Sequence, residues 1–212
     1  MPSVTPMRRQ ARTAARARIL AAALETLESA GYGGATARAI ALTGGFNQAL
    51  IYYHFESIDD LLIAALEDFS ERRLERYRIA LRDVTELTPL VATMTSLYEE
   101  DVQSGQLAAA QEVVAGSASS RELGERVVSL MDPWFAFAEE VVQRLVHGTL
   151  FEGVIPPKEL AYALVALYFG VETLTRMDGD RGKAKALFES GARLAPLADL
   201  ILHSDVQFGG SS

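Results

Sequence analysis

The chain has 212 residues, a formal net charge of −8, 49% apolar residues and no cysteine. Its length suits one large helical body or a small module fused to a larger one, and half of it is available for a core. The missing cysteines exclude a disulfide framework, a thiolate zinc site and a cysteine nucleophile, and the acidic total argues against a general nucleic-acid coat protein.

The charge is unevenly spread. Residues 1–55 hold Arg8, Arg9, Arg12, Arg16, Arg18 and Arg38 against Glu25 and Glu28, a net +4, so the remainder carries −12. A basic head on an acidic body implies that only the head meets a polyanion. Helical periodicity runs almost throughout and strand alternation is nearly missing, so the chain reads as all-α with about nine helices and no internal repeat.

In chain order, residues 1–12 read as a flexible basic arm. The apolar run at 19–24 is too short for a secretory leader and is stopped by Glu25. Ile19, Leu20, Ala23, Leu24 and Leu27 form the apolar stripe of a first helix, which Gly31 is placed to end in the left-handed conformation. Thr36 can cap a short second helix through Ile40 and Leu42, closed by Gly44-Gly45. Asn47 can cap a third, with Phe46 and Ile51 at the spacing of a hydrophobic staple. Ser57, with Asp60 at capping-box distance, opens a long fourth helix reaching about Val84. Pro89 sits in the first turn of the next, and Gly105 and Gly116 punctuate two more. A long helix is expected over 121–151, kinked at Pro133. After "GVIPPKEL" come two final helices, about 158–177 and 183–203, the second bent at Pro196. The longest apolar run, 160–171, falls short of the ~18 residues that suggest a membrane span. It reads as a buried helix, with no membrane partner and a cytoplasmic location. The last residues, 206–212, read as a flexible tail.

The stretch "NQALIYYHF" carries the chemistry. At 100° per residue Ile51 and Phe55 point together into a core. Ala49, Leu50, Tyr52, Tyr53 and, at the edge, His54 fall on the other flank, with Gln48 in the exposed first turn. Hydroxyls and an imidazole N–H can donate to phosphate oxygens, a glutamine amide can pair bidentately with adenine, and an exposed leucine can meet a thymine methyl. Arg38 is unfavourably placed for the dipole of the second helix, so a phosphate or guanine contact suits it better. Each residue has a plainer reading: Tyr52 and Tyr53 packing on neighbouring helices, His54 bonding a carbonyl, Gln48 and the arginine arm merely solvated. The second helix, the "TGGF" turn and the third form a helix-turn-helix.

The segment "TARAIALTGGFNQALIYYHFESIDDLL" resembles the DNA-binding segment of the TetR family of bacterial transcriptional regulators. The likeness covers residues 19–62, with its threonine-capped second helix and its Tyr-Tyr-His-Phe run. The turn carries Gly44 where that family usually has alanine, Phe46 where valine is usual and Asn47 where serine is usual. The resemblance implies a helix-turn-helix DNA-binding domain at 13–57 and a ligand-binding and dimerisation domain at 58–205. It implies a homodimer joined through the last two helices, a palindromic double-stranded operator and release by a small-molecule effector, as in a repressor. The DNA-binding set is Arg38, Asn47, Gln48, Ala49, Leu50, Tyr52, Tyr53 and His54.

Catalysis finds little support. His54, His147 and His203 fall on separate helices without an H-x-x-x-H pair, and no P-loop, G-x-S-x-G or G-x-G-x-x-G is present. No enzyme activity, cofactor or metal is expected. The acidic runs at 99–101 and 139–140 read as solvated faces. In the body, Trp134 and Phe135 beside Pro133, together with Met131 and with Tyr98 as polar group, are candidates to line a small-molecule cavity. The alternative function is a helical small-molecule-binding protein or enzyme that keeps its head as structure only.

Overall fold

The structure is a computed structural model describing residues 4–118 and 120–204; the expected tail, 206–212, and the first three residues of the expected arm lie outside them. The described residues form ten helical segments and no strand: α1 (Val4–Gly34), α2 (Ala37–Gly44), α3 (Ala49–His54), α4 (Ile58–Ala80), α5 (Leu87–Ser104), α6 (Gln106–Ser117), α7 (Arg121–Ser129), α8 (Asp132–Val146), α9 (Pro157–Asp178) and α10 (Gly182–Leu202). These are the about nine helices expected, with the 121–151 helix divided in two. Pro133 does not kink that helix; it lies in the first turn of α8, where its missing N–H costs no hydrogen bond. The chain then leaves the helix at Val146, because His147 is extended and Gly148 has φ 71°. None of the described helices is long and apolar enough to cross a membrane.

The chain divides into two compact units, Met1–Arg73 with Asp101–Leu130, and Leu74–Glu100 with Met131–Ser212. In the first, the stripe Ile19, Leu20, Ala23, Leu24 and Leu27 is buried with Ile40, Ile51, Phe55, Leu61 and Leu62, and α6 and α7 add Ala109, Val113, Leu123 and Val127 to the same core. The stretch expected as an arm is helical from Val4 onward and continuous with α1. Gly31 does take a positive φ, 68°, and interrupts the helix as expected, but its ψ of −179° is extended and not that of the left-handed helical conformation; a short helical piece follows to Gly34. Beyond it the Tyr32 N–H donates to the Glu112 carboxylate at 3.0 Å, its hydroxyl donates to Asp59 at 2.9 Å, and its ring fills the space over Gly116, where a Cβ would stand 2.5 Å from ring carbon. Gly116 is the penultimate residue of α6, which ends at Ser117, and Gly105 stands at its N-cap. Packing of α6 and α7 with α1–α4 is what makes this unit larger than a head ending near residue 57.

Buried ion pairing also differs from expectation. Asp101 does not join a solvated acidic face: it is 2% exposed and ion-paired with Arg73, while Glu99 and Glu100 stay in solvent. Ser57 opens α4 as expected, its hydroxyl accepting from the Asp60 N–H at 3.0 Å, and Arg126 of α7 donates to the Asp60 carboxylate at 2.7 Å. Ser57 first, then Arg126, hold that carboxyl below its ordinary pKa.

In the second unit Leu74, Tyr77, Leu81, Leu97, Phe137, Val141 and Leu145 form the core. The α5 N-terminus is capped from α10: Asp199 accepts from the Leu87 and Thr88 amides at 2.6 and 2.8 Å. Helix α9 packs along α8 and also meets α10. Even so, α9 exposes Leu167, Leu174 and Met177, and α10 exposes Leu187, Leu194, Leu197 and Ile201.

Candidate nucleic-acid interface

The head is assembled around a turn whose geometry is fixed from both sides. Thr36 caps α2, its hydroxyl accepting from the Ala39 N–H. At the other end Gly45 adopts the left-handed conformation (φ 63°, ψ 40°), and the amides of Gly45 and Phe46 return to the carbonyls of Leu42 and Ala41. Arg18 of α1 then grips this turn. Its Nε and Nη2 donate to the Gly44 carbonyl at 3.0 and 2.7 Å, Nη2 reaches the Gly45 carbonyl at 2.8 Å, and the guanidinium lies 5.6 Å from the Phe46 ring centroid. Sequence reasoning counted Arg18 only as head charge. The signal available was its place immediately before buried Ile19, which sets it at the rim of the stripe; its target is 26 residues away.

Gly44 and Phe46 explain each other. A Cβ at residue 44 would stand 2.0 Å from the Phe46 ring and 2.9 Å from the Ala22 Cβ. The two departures from the usual turn are thus one exchange, in which the larger ring at 46 occupies the space of a methyl at 44.

Asn47 turns the chain into α3, its side-chain oxygen accepting from the Ala49 N–H at 2.8 Å. Within α3 Ile51 is fully buried and Phe55, at the C-terminus, is nearly so. Gln48, Ala49, Tyr52 and Tyr53 face solvent, the tyrosines at 57% and 71% exposure, and Arg38 on α2 is exposed too. Leu50 is less outward than its helical angle implied, because half of it packs on the core beside Ile51. His54 is half-buried, with its ring edge-on to Tyr53 at 5.1 Å. Burial, then the charges of Arg12 and Arg16, lower its pKa below the usual histidine value, so the imidazole is neutral near pH 7. The structure therefore brings Asn47, Gln48, Ala49, Tyr52, Tyr53 and His54 onto one short element with its apolar side anchored.

The residues expected to line a body cavity separate. Tyr98 is buried, its ring 6.0 Å from that of Tyr168 and 4.9 Å from that of Phe188, and its hydroxyl donates to Thr175 at 3.4 Å. Trp134 stands edge-on to Tyr77 at 5.2 Å, and the Tyr77 and Tyr168 hydroxyls are 2.8 Å apart. Phe135 instead lies against Tyr162, and Met131 is half-buried just before α8. An open cleft of about 870 Å³ in the same unit is lined by other residues, among them Thr85, Gln143, Arg144, His147, Glu152 and Ile155. The described residues hold no group of acidic or histidine side chains able to bind a metal.

A helical protein with this capped turn and outward α3 is, by class, a helix-turn-helix DNA-binding protein. Residues 19–65 match the family model of the bacterial regulatory proteins, tetR family. The chain is 21% identical over 155 residues to an uncharacterized HTH-type transcriptional regulator of Mycobacterium tuberculosis, covering 73% of this chain and 77% of the relative. Its fold resembles that of a TetR family member from Streptomyces coelicolor A3 (TM-score 0.63, 21% identity, 86% of this chain and 98% of that one). It also resembles the transcriptional regulator FadR from Bacillus subtilis in complex with stearoyl-CoA (TM-score 0.66, 15% identity, 84% and 96%). The head thus matches the TetR-family model, and the fold of the chain is like that of a solved TetR-family member.

Proposed function

We propose that the protein is a ligand-responsive repressor that binds a palindromic double-stranded operator as a homodimer and is released by a small-molecule effector. The observation that carries this reading is α3: Gln48, Ala49, Tyr52 and Tyr53 stand in solvent while Ile51 and Phe55 anchor the helix. In the major groove Gln48 pairs with an adenine edge and Ala49 and Leu50 meet thymine methyls, while Arg38, Asn47, Tyr52, Tyr53 and His54 hold phosphates or neighbouring bases. Arg18 and the Gly44–Phe46 pair set the angle at which that flank is presented.

The dimer reading rests on α9 and α10. Ala163, Leu167, Gly170, Leu174 and Met177 follow alternating spacings of four and three, as do Leu187, Ser190, Leu194, Leu197 and Ile201, and most of the large members are exposed. That period is what two helix pairs need to pack as a four-helix bundle, and a second head one DNA turn away multiplies specificity on a palindrome. On this reading 13–57 is the operator-reading domain and 58–205 the sensing and dimerising one, working in the cytoplasm. The effector site would centre on Tyr98 and Trp134, which the Tyr77–Tyr168 pair links, while Phe135, against Tyr162, stands apart from them. A solved protein of similar fold binds stearoyl-CoA, which supports a ligand role for such a body. To act, the effector must bind the operator-bound and released states unequally.

Gel-shift titration against the DNA upstream of its own coding sequence tests the proposal. Sequence-specific retention that Gln48→Ala and Tyr53→Ala abolish is the expected result. Retention indifferent to both substitutions would refute the assigned face, and no retention would refute the regulator.

A further inference from the structure

The N-terminal part of α1 carries its charges in solvent. The helix continues from Ile19, the first buried residue, back to Val4, roughly 22 Å at 1.5 Å per residue. Over residues 9–18 no side chain is buried and only Ala15 is half-covered. Arg9, Arg12 and Arg16 recur along this piece at helical spacing, and no acidic residue precedes Glu25. The like charges of Arg12 and Arg16, four residues apart, repel, as do those of Arg9 and Arg12, three apart. A solvated helix of this length is marginal by itself. The arrangement is therefore one that an anionic partner would relieve.

Its direction identifies the partner. Arg16 lies 5.5 Å from the centroid of the Phe55 ring at the end of α3, and the charges of Arg12 and Arg16 both act on His54. His54 in turn touches Tyr53. The cationic face is continuous with the outward flank of α3 at its C-terminal end, opposite the Gln48 end, and from Arg16 it runs about 10 Å further to Arg9.

We propose that Arg9, Arg12 and Arg16 form a helical clamp on the DNA backbone, holding phosphates that flank the half-site read by α3. The inference rests on the DNA-binding reading above and deepens it: the clamp adds affinity and register, with no sequence information of its own.

The test compares the full chain with Arg9→Ala/Arg12→Ala and Arg9→Lys/Arg12→Lys on its own upstream DNA, by salt titration and hydroxyl-radical footprinting. The alanine pair leaves Arg16 against Phe55 and favours the helix, so folding is preserved, which far-UV circular dichroism verifies. In the homodimer four phosphate contacts are lost, two per protomer, which lowers the slope of log K against log salt by about 3.6, so the affinity gap from wild type narrows about 150-fold between 50 and 200 mM salt. Protection is lost at the outer flanks and kept at the centre, and the lysine pair keeps the wild-type slope because a point charge suffices. An unchanged slope and footprint in the alanine pair would overturn the clamp alone. So would a loss of sequence preference at constant slope, which would mean base contact. If the wild-type chain retains no DNA specifically, the clamp and the function beneath it fall together.

Discussion

Helix α3 and the α9–α10 pair both leave large side chains in solvent, and they do it with different chemistry. On α3 the exposed groups are Tyr52 and Tyr53, amphipathic rings tipped with hydroxyls beside a histidine and near arginines. On α9 and α10 they are mainly leucines with Met177 and Ile201, repeated at alternating three- and four-residue steps. Water tolerates the first set, whose polar tips stay hydrated and available for phosphate or base edges. The second set gains only by meeting another apolar surface. Exposure alone therefore does not define a binding face; the polar content of what is exposed decides which partner fits it.

The largest effect should come from breaking the apolar face. Leu194→Glu with Leu197→Glu is expected to convert a dimer into a monomer in sedimentation velocity, and to lower affinity for a two-half-site DNA by a factor on the order of 100 to 10,000 as linked binding is lost. A wild-type chain that already sediments as a monomer would erase the contrast between the two regions. On the polar face, Gln48→Ala should cost about 1–3 kcal/mol of binding and relax the preference at one base pair per half-site, read by selection from a randomised DNA pool. Uniform weakening across all sequences would instead reassign Gln48 to the backbone.

The turn that presents α3 sharpens the comparison further. Gly44→Ala should destabilise the chain by about 1–3 kcal/mol in denaturant unfolding through overpacking against Phe46, and adding Phe46→Val should return much of the loss. Additive losses in the double variant would mean that the two residues do not share that space. The smallest effect concerns His54. Its folded pKa lies below the unfolded value near 6.5, so the unfolded chain takes up the proton first, and stability contributed by the neutral ring above pH 6.5 is lost as pH falls through that value. A two-dimensional NMR titration should place its midpoint below 6.5, and Arg12→Ala with Arg16→Ala should raise it. A midpoint that ignores both arginines would separate α1 from the α3 surface.

What was legible in the sequence was whatever local period or capping chemistry dictates. Ile51 and Phe55 lie four apart and are both buried; Thr36 and Ser57 each bond an amide three residues on. The helix-turn-helix was readable because its parts are neighbours in the chain. What escaped was set by distant partners or by competition between equal local choices. Arg18 reaches Gly44 across 26 residues, and Tyr32 reaches Glu112 across 80. Asp101 looked like its solvated neighbours until Arg73 was placed beside it. Pro133 is compatible with either a kink or a helix start; in the structure α7 ends at Ser129 and α8 begins at Asp132, so the proline falls in a first turn.

The central claim is that the outward flank of α3 enters the major groove, and the absence of cysteine from the chain allows it to be tested at one atom. A photoactivatable cross-linker on Gln48→Cys, irradiated on the upstream fragment that the protein retains, should mark base edges at one position in each of two symmetry-related half-sites. Cross-links scattered along the fragment, or none while binding persists, would contradict the account.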